Sequence, residues 1–268
     1  MGCSCVIPPF VNIDWPTRHP GAVLADVRWY PDGRSGREAF EAGHIPGAVF
    51  VDLDADLAAP PGVGGRHPLP SAAHFAQALG RRGIADDAVV VAYDDAGGVF
   101  AARLVWMLRA IGRDAALLSG GLTAWEGDLD EGPSHPSPVE RVPVEWPGEL
   151  LADADLAASG SMVTLDGRTA ERFAGAPSPL DPRPGHVPGA VSAPVGGNLD
   201  ADGRVREPGE LRARFAALGV DDARRAVAYC GSGVTACHNL LAMEHAGLGR
   251  GRLYPGSWSE YAADPGLG

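Results

Sequence analysis

The chain has 268 residues, 45% of them hydrophobic and 21% charged, which suits a globular protein of one large or two ordinary domains. Its formal charge is −12 and all 22 of its Lys-plus-Arg residues are arginine, which disfavours a general binder of nucleic acid or anionic membrane and excludes Schiff-base, pyridoxal-phosphate and P-loop lysine chemistry. No apolar run is long enough to span a bilayer, the start Met1-Gly2-Cys3-Ser4-Cys5 lacks the regions of a signal peptide, and 4 cysteines are too few for a disulfide scaffold, so a reducing, cytoplasmic location with free thiols is expected.

In chain order, short apolar runs at 23–27, 88–93 and 115–118 predict strands, and amphipathic stretches at 71–82 and 99–110 predict helices. The stretch 127–148 carries Pro133, Pro136, Pro138, Pro143 and Pro147 without any periodicity, which predicts a stiff, extended linker. Beyond it, strands are expected at 162–165, 226–229 and 252–254, and helices at 208–218 and 234–246. Continuous apolar strands alternating with helices indicate an α/β fold whose parallel sheets are covered on both faces.

The two halves repeat each other. Asp26-Val27-Arg28 followed by Gly43-His44-Ile45-Pro46-Gly47-Ala48 reappears as Asp166-Gly167-Arg168 followed by Gly185-His186-Val187-Pro188-Gly189-Ala190. Val90-Val91-Ala92-Tyr93-Asp94 matches Ala226-Val227-Ala228-Tyr229-Cys230, and each half closes on a glycine turn with a tryptophan, Trp125 and Trp258. Matches in the same order mean a duplicated domain, here an N-terminal domain over 1–126, the linker, and a C-terminal domain over 149–268. The pairs Asp26–Arg28 and Asp166–Arg168 are expected to hold loops. Of the two equivalent histidines, His44 and His186, at least one is expected to buttress its loop.

In parallel sheets ligands sit beyond the carboxyl ends of the strands. Cys230 occupies that place in the second half and Asp94 in the first. Cys230-Gly231-Ser232-Gly233-Val234-Thr235 leads from strand to helix, and its glycines let backbone amides converge on an anion at the helix start. A cysteine there is expected to be a reactive, low-pKa thiolate able to carry a persulfide anion. Cysteine phosphatases and arsenate-reductase-like enzymes share this geometry, but need an arginine six residues after the cysteine to clamp the oxyanion. Ala236 stands there instead, with Cys237 next, so that alternative is disfavoured. A non-catalytic sulfur carrier is the other alternative. Cys237 is expected to be packed in its helix, and neither the Cys3-x-Cys5 tail nor His238 and His245 have enough neighbouring ligands for a metal.

The duplicated pattern, with a loop cysteine only in the second half, resembles the two-domain rhodanese-like sulfurtransferases, the thiosulfate and 3-mercaptopyruvate sulfurtransferases. The resemblance runs from about Leu24 to Pro265 and is carried by the Cys230–Thr235 loop, the paired Gly-His-Ile/Val-Pro-Gly-Ala segments and the closing Gly256-Ser257-Trp258-Ser259-Glu260. It implies tandem rhodanese-like domains, the first inactive with Asp94 in place of the cysteine. The second would move sulfane sulfur from 3-mercaptopyruvate or thiosulfate to cyanide or a thiol through a persulfide on Cys230, without metal or cofactor. Cys-Gly-Ser-Gly-Val-Thr looks like the mercaptopyruvate type, since the thiosulfate type tends to place cations after the cysteine. Catalytic roles are then expected for Cys230, Ser232 and His44; the resemblance places the His44 loop near the interdomain cleft, where His44 would pair with Ser232, oriented by Asp32 or Asp52. Donor binding is expected from Arg172, Arg183, Gly231, Gly233, Val234 and Thr235. The implied partners are small-molecule donors and acceptors, with a thioredoxin-like reductant as a further candidate.

Overall fold

A computed structural model of the chain describes residues 7–181 and 183–266; Cys3 and Cys5 lie outside the described residues. The first half contains β1 (Phe10–Val11), α1 (Trp15–Arg18), β2 (Val23–Asp26), α2 (Gly36–Ala42), β3 (Val49–Phe50), α3 (Leu53–Asp56), α4 (Ala72–Arg81), β4 (Val90–Tyr93), α5 (Ala102–Ala110) and β5 (Ala115–Leu118). The second contains α6 (Ala154–Ala158), β6 (Val163–Asp166), α7 (Ala170–Phe173), β7 (Val191–Ser192), α8 (Pro208–Ala217), β8 (Ala226–Tyr229), α9 (Ala236–His245), β9 (Arg252–Leu253) and α10 (Ser257–Tyr261). The strands form two all-parallel sheets, ordered β1-β5-β4-β2-β3 and β7-β6-β8-β9. The fold is the expected tandem α/β arrangement. β4 and β8 lie inside their sheets and every one of their residues is buried, which is why they read as unbroken apolar runs.

Helix starts follow local side-chain chemistry. The Ser71 hydroxyl accepts from the His74 amide at the head of α4, the Thr169 hydroxyl accepts from the Arg172 amide at α7, and Glu207 and Glu210 form a reciprocal capping box at α8. The short helices α1, α2, α3, α6, α7 and α10 and the two-residue strands β1, β3 and β7 have no counterpart among the sequence expectations, because such short elements show no periodicity.

The repeated motifs perform the same task twice. Arg28 Nη2 meets Asp26 Oδ2 at 2.8 Å and donates to the Gly43 carbonyl at 2.7 Å; Arg168 Nη2 meets Asp166 Oδ2 at 2.7 Å and donates to the Gly185 carbonyl at 2.7 Å. The Tyr93 hydroxyl accepts from the Ile45 amide and the Tyr229 hydroxyl from the Val187 amide. Each strand end is thereby tied to its Gly-His-x-Pro-Gly loop.

The proline-rich segment 131–147 forms no helix or strand but lies along the first domain, with the Val139 amide donating to the Gly80 carbonyl and Trp146 Nε1 to the Pro70 carbonyl. The halves then face each other through α5 and α9, and Arg109 of α5 binds Glu244 of α9 at 2.6 Å. The carboxyl ends of both sheets open on a cleft between the domains.

Candidate active site

Cys230 follows β8 directly and is 2% exposed. Its own amide donates to Ser257 Oγ at 3.1 Å, its carbonyl accepts from the Trp258 amide, and the Gly231 carbonyl accepts from the Ser259 amide. Residues 256–259 therefore hold the first leg of the loop in place. Gly233 makes the return turn with φ +75°, and a Cβ there would lie 2.4 Å from the Pro255 carbonyl oxygen, so only glycine fits. With the turn fixed, the amides of residues 231–235 donate to no oxygen among the described residues. They sit just before the ten-residue helix α9, where an anion is favoured.

Ser232 is 5% exposed, and its hydroxyl lies 2.7 Å from His67 Nδ1. His67 Nε2 in turn lies 3.0 Å from Asp54 Oδ1, while Asp54 Oδ2 accepts from Trp29 Nε1 at 2.9 Å. The bond to His67 holds the Asp54 carboxyl below the usual carboxylate range, partial burial opposes this and Trp29 assists. A carboxylate, an imidazole and a hydroxyl are thus aligned from the first domain to the cysteine loop of the second, an arrangement that can pass a proton to or from a reacting group.

Arg103 of α5 joins these parts from below. It is fully buried, donates from Nη1 to the Gly233 carbonyl at 2.9 Å and from Nη2 to the His67 carbonyl at 3.0 Å, and has no carboxylate partner among the described residues. Burial lowers its pKa, and the sulfurs of Cys237 and Cys230 oppose that lowering without cancelling it. Cys237 is fully buried, donates to the Gly233 carbonyl, and burial pushes its thiol up to about 12, so it is the packed, unreactive thiol the sequence suggested.

The cleft beside Cys230 has a volume of about 220 Å³ and is lined by Cys230, Gly231, Ser232, Val234, Thr235 and Arg172 among others. Gly233 shapes the loop without lining the cleft. His44 is elsewhere: it stacks on Phe40 with ring centroids 3.7 Å apart and its Nδ1 lies 2.9 Å from the Phe40 carbonyl. His186 does the same on Phe173, at 4.0 Å and 2.8 Å, so both repeated histidines buttress loops and the residue on Ser232 is His67. Neither proposed orienting carboxylate reaches a site histidine: Asp32 pairs with Arg34, and Asp52 caps α3. Arg183 is also outside the cleft; its Nε donates to the Ala262 carbonyl and its guanidinium lies over the Trp258 ring. The sequence reading missed His67, Asp54, Arg66, Trp29 and Arg103. The available signal was Arg66-His67-Pro68, which follows a glycine-rich turn ahead of α4; the second half repeats its Gly-Arg as Gly203-Arg204 ahead of α8 but has Val205 in place of the histidine.

Among the described residues no group of three or more His, Cys, Asp or Glu side chains could hold a metal ion, and no helix is long and apolar enough to cross a membrane.

The family model for the rhodanese-like domain matches the chain twice, over residues 16–128 and 151–264. Over 261 residues the chain is 44% identical to a probable 3-mercaptopyruvate sulfurtransferase of Pseudomonas aeruginosa, covering 92% of this chain and 91% of that protein. It is 40% identical to a putative thiosulfate sulfurtransferase of Mycobacterium tuberculosis, covering 90% and 88%. Among solved structures, the 3-mercaptopyruvate sulfurtransferase from Leishmania major superposes with a TM-score of 0.84 at 32% identity, covering 97% of this chain and 76% of that one.

Proposed function

The chain belongs to the rhodanese-like sulfurtransferases, and on that premise we propose that Cys230 carries the transferred sulfur as a persulfide, with 3-mercaptopyruvate as the preferred donor. The enzyme is a sulfurtransferase of the 3-mercaptopyruvate and thiosulfate type. The observation that supports Cys230 as the carrier is its place at the end of β8, under a loop whose amides are open and beside a hydroxyl–imidazole–carboxylate chain.

The chemistry follows from that placement. The Cys230 thiolate attacks the donor sulfur and a new S–S bond forms. The C–S bond of mercaptopyruvate breaks, and its electron pair passes into the enolate of pyruvate. Ser232, backed by His67 and Asp54, donates to the keto oxygen and supplies the proton that C3 takes up. The persulfide releases the donor's thiol proton, so no net proton is consumed. The open amides of 231–235 face the charge on the outer sulfur. Cyanide or an acceptor thiolate then attacks that outer sulfur, and the S–S electron pair returns to Cys230. Thiosulfate follows the same course with sulfite as leaving group, but has no ketone for Ser232 to polarise. Arg172 holds the donor's anionic end. The first domain performs no transfer itself, because Asp94 stands where the cysteine would be.

A thioredoxin-like protein suits the acceptor role, since a dithiol removes persulfide sulfur as sulfide and becomes a disulfide. A reducing, cytoplasmic compartment belongs to the same reading, as the reaction needs Cys230 free. The test is intact mass after incubation with mercaptopyruvate. A gain of about one sulfur atom that cyanide removes is expected, and it should be absent from Cys230→Ser. A Cys230→Ser protein that still gains cyanide-labile sulfur, or still turns over, rules the assignment out.

A further inference from the structure

The cations around the cleft differ in what already neutralises them. Arg168 is paired with Asp166 at 2.7 Å. Arg172 gives Nε and Nη2 to the two oxygens of Asp181, at 3.0 and 2.5 Å, which leaves Nη1 as its free edge. Arg66 enters from the first domain, and its backbone amide is fixed on Ser259 Oγ of the second. Its Nη1 donates to the Leu180 carbonyl at 2.5 Å, and its Nε is buried without a partner. It has no carboxylate within ion-pair distance among the described residues. Arg66 Nη2 and Arg172 Nη2 each lie 3.2 Å from the point where a Cβ on Gly231 would sit, so two guanidinium groups from different domains flank the residue next to Cys230.

We propose that Arg66 is the second anion anchor of the donor site, supplied by the first domain and gripping the donor's negative end opposite Arg172. The proposal deepens the sulfurtransferase reading and rests on it. A guanidinium whose only side-chain acceptor is a carbonyl keeps its full charge for a ligand and presents planar donors to a carboxylate or sulfonate. Arg172 stands beside Arg66 with one edge held by Asp181, so an anion placed between the two meets the unneutralised charge of Arg66 and the remaining edge of Arg172. Burial lowers the pKa of Arg66 and neighbouring Arg172 adds to this, whereas Cys230, Asp181 and Asp54 counteract it. The ligand class is therefore a small anion whose charge lies within a few bonds of its transferable sulfur. Mercaptopyruvate, with two carbons between sulfur and carboxyl carbon, fits it. Binding such a donor would bridge the two domains, giving the catalytically silent half a direct part in choosing the substrate.

The test uses alkylation of Cys230, followed on its own peptide by mass spectrometry, with anionic iodoacetate and neutral iodoacetamide. In the wild type the iodoacetate-to-iodoacetamide rate ratio should exceed that of glutathione. Arg66→Met should lower it about tenfold and raise KM for mercaptopyruvate about tenfold or more, the weight of a lost charge-assisted pair, with kcat changed far less. Arg66→Lys should restore most of the ratio. A wild-type ratio no higher than glutathione's, an unchanged ratio and KM in Arg66→Met, or an equal loss of rate with both reagents would each overturn the proposal. If Arg66→Met does not fold, the wild-type ratio and its response in Arg66→Gln decide the matter. Failure of the wild type to gain sulfur from mercaptopyruvate would instead sink the sulfurtransferase reading, and the alkylation ratio would still report on Arg66.

Discussion

The loops after β4 and β8 begin alike and end with opposite uses of the same cradle. After β4, the Asp94 carboxylate fills it: Oδ1 accepts from the Ala96 and Gly98 amides at 2.8 and 2.7 Å, and Oδ2 from the Phe100 and Ala101 amides at 2.8 and 3.0 Å. After β8, Cys230 carries no such acceptor and the amides of 231–235 are left open. The first loop demonstrates that backbone in this position gathers amides around a negative charge. Burial raises the Asp94 carboxyl's pKa, and the four amide bonds oppose that rise. One domain therefore satisfies its cradle permanently with its own side chain. The other leaves it for a charge that comes and goes.

Making the two loops alike is the most severe test of that contrast. Cys230→Asp should abolish turnover, by about 10⁴-fold or more, because the nucleophile is gone. It should also fold at least as stably as the wild type, since a carboxylate would meet amides that now lack acceptors. Thermal unfolding alongside a mercaptopyruvate assay reads both. A dead and strongly destabilised Cys230→Asp would mean that the second loop does not present its amides as the first does.

The reverse change should cost stability and not chemistry. Asp94→Ala leaves four amides around a fully buried position without their acceptor. A loss of about 3–5 kcal/mol is expected, seen as a fall in Tm of roughly 6–20 °C for a chain of this size. Activity at a temperature where the variant stays folded should remain within a few-fold of wild type. A loss of activity without loss of stability would give the first loop a role in turnover that its geometry does not suggest.

The duplication made much of this legible in the sequence, and it also set the limit. Asp26, Arg28, Tyr93, Gly47 and their partners Asp166, Arg168, Tyr229 and Gly189 occur in both halves because both folds need them. Cys230 stood out by breaking the pattern at a strand end. The resemblance singles out His44 by the place of its loop near the cleft, yet His44 is repeated as His186, and a residue both domains require is a poor guide to what only one does. His67 and Arg66 escaped because the partners that place them at the site are distant in sequence; Ser232 is 165 residues from His67, and Asp54 joins the site only through His67. Nothing in local spacing encodes a contact that forms only when two domains close on each other. The same holds for Arg103, which reads as one more arginine on an amphipathic helix. Its role depends on where Gly233 lies, 130 residues away.

Ser232 separates the two donors more finely. If it serves the ketone, Ser232→Ala should lower kcat/KM for mercaptopyruvate by about 10²-fold, the lower end of what a positioned acid contributes. Thiosulfate transfer should fall far less, because sulfite leaves without needing a proton on a ketone. His67→Gln should reproduce the same asymmetry through Ser232. Equal losses with both donors would show instead that Ser232 supports the shape of the loop or the charge on Cys230.

The smallest effects should come from the repeated histidines, and they decide whether repetition marks structure here. His44 and His186 each stack on a phenylalanine and bond to its carbonyl, so neither approaches the cleft. The two sites differ in burial: His44 is 4% exposed, whereas His186 is not among the buried polar residues. His44→Gln should therefore cost about 1 kcal/mol of stability, near the value of one buried hydrogen bond, and His186→Gln less, because water can replace the partner it loses. Both variants should keep kcat/KM with mercaptopyruvate unchanged within experimental scatter, in contrast to His67→Gln. A drop in turnover confined to His44→Gln would return that residue to the reaction. It would also mean that the Gly43–Ala48 loop acts on the cleft through the backbone, a link absent from its counterpart at Gly185–Ala190.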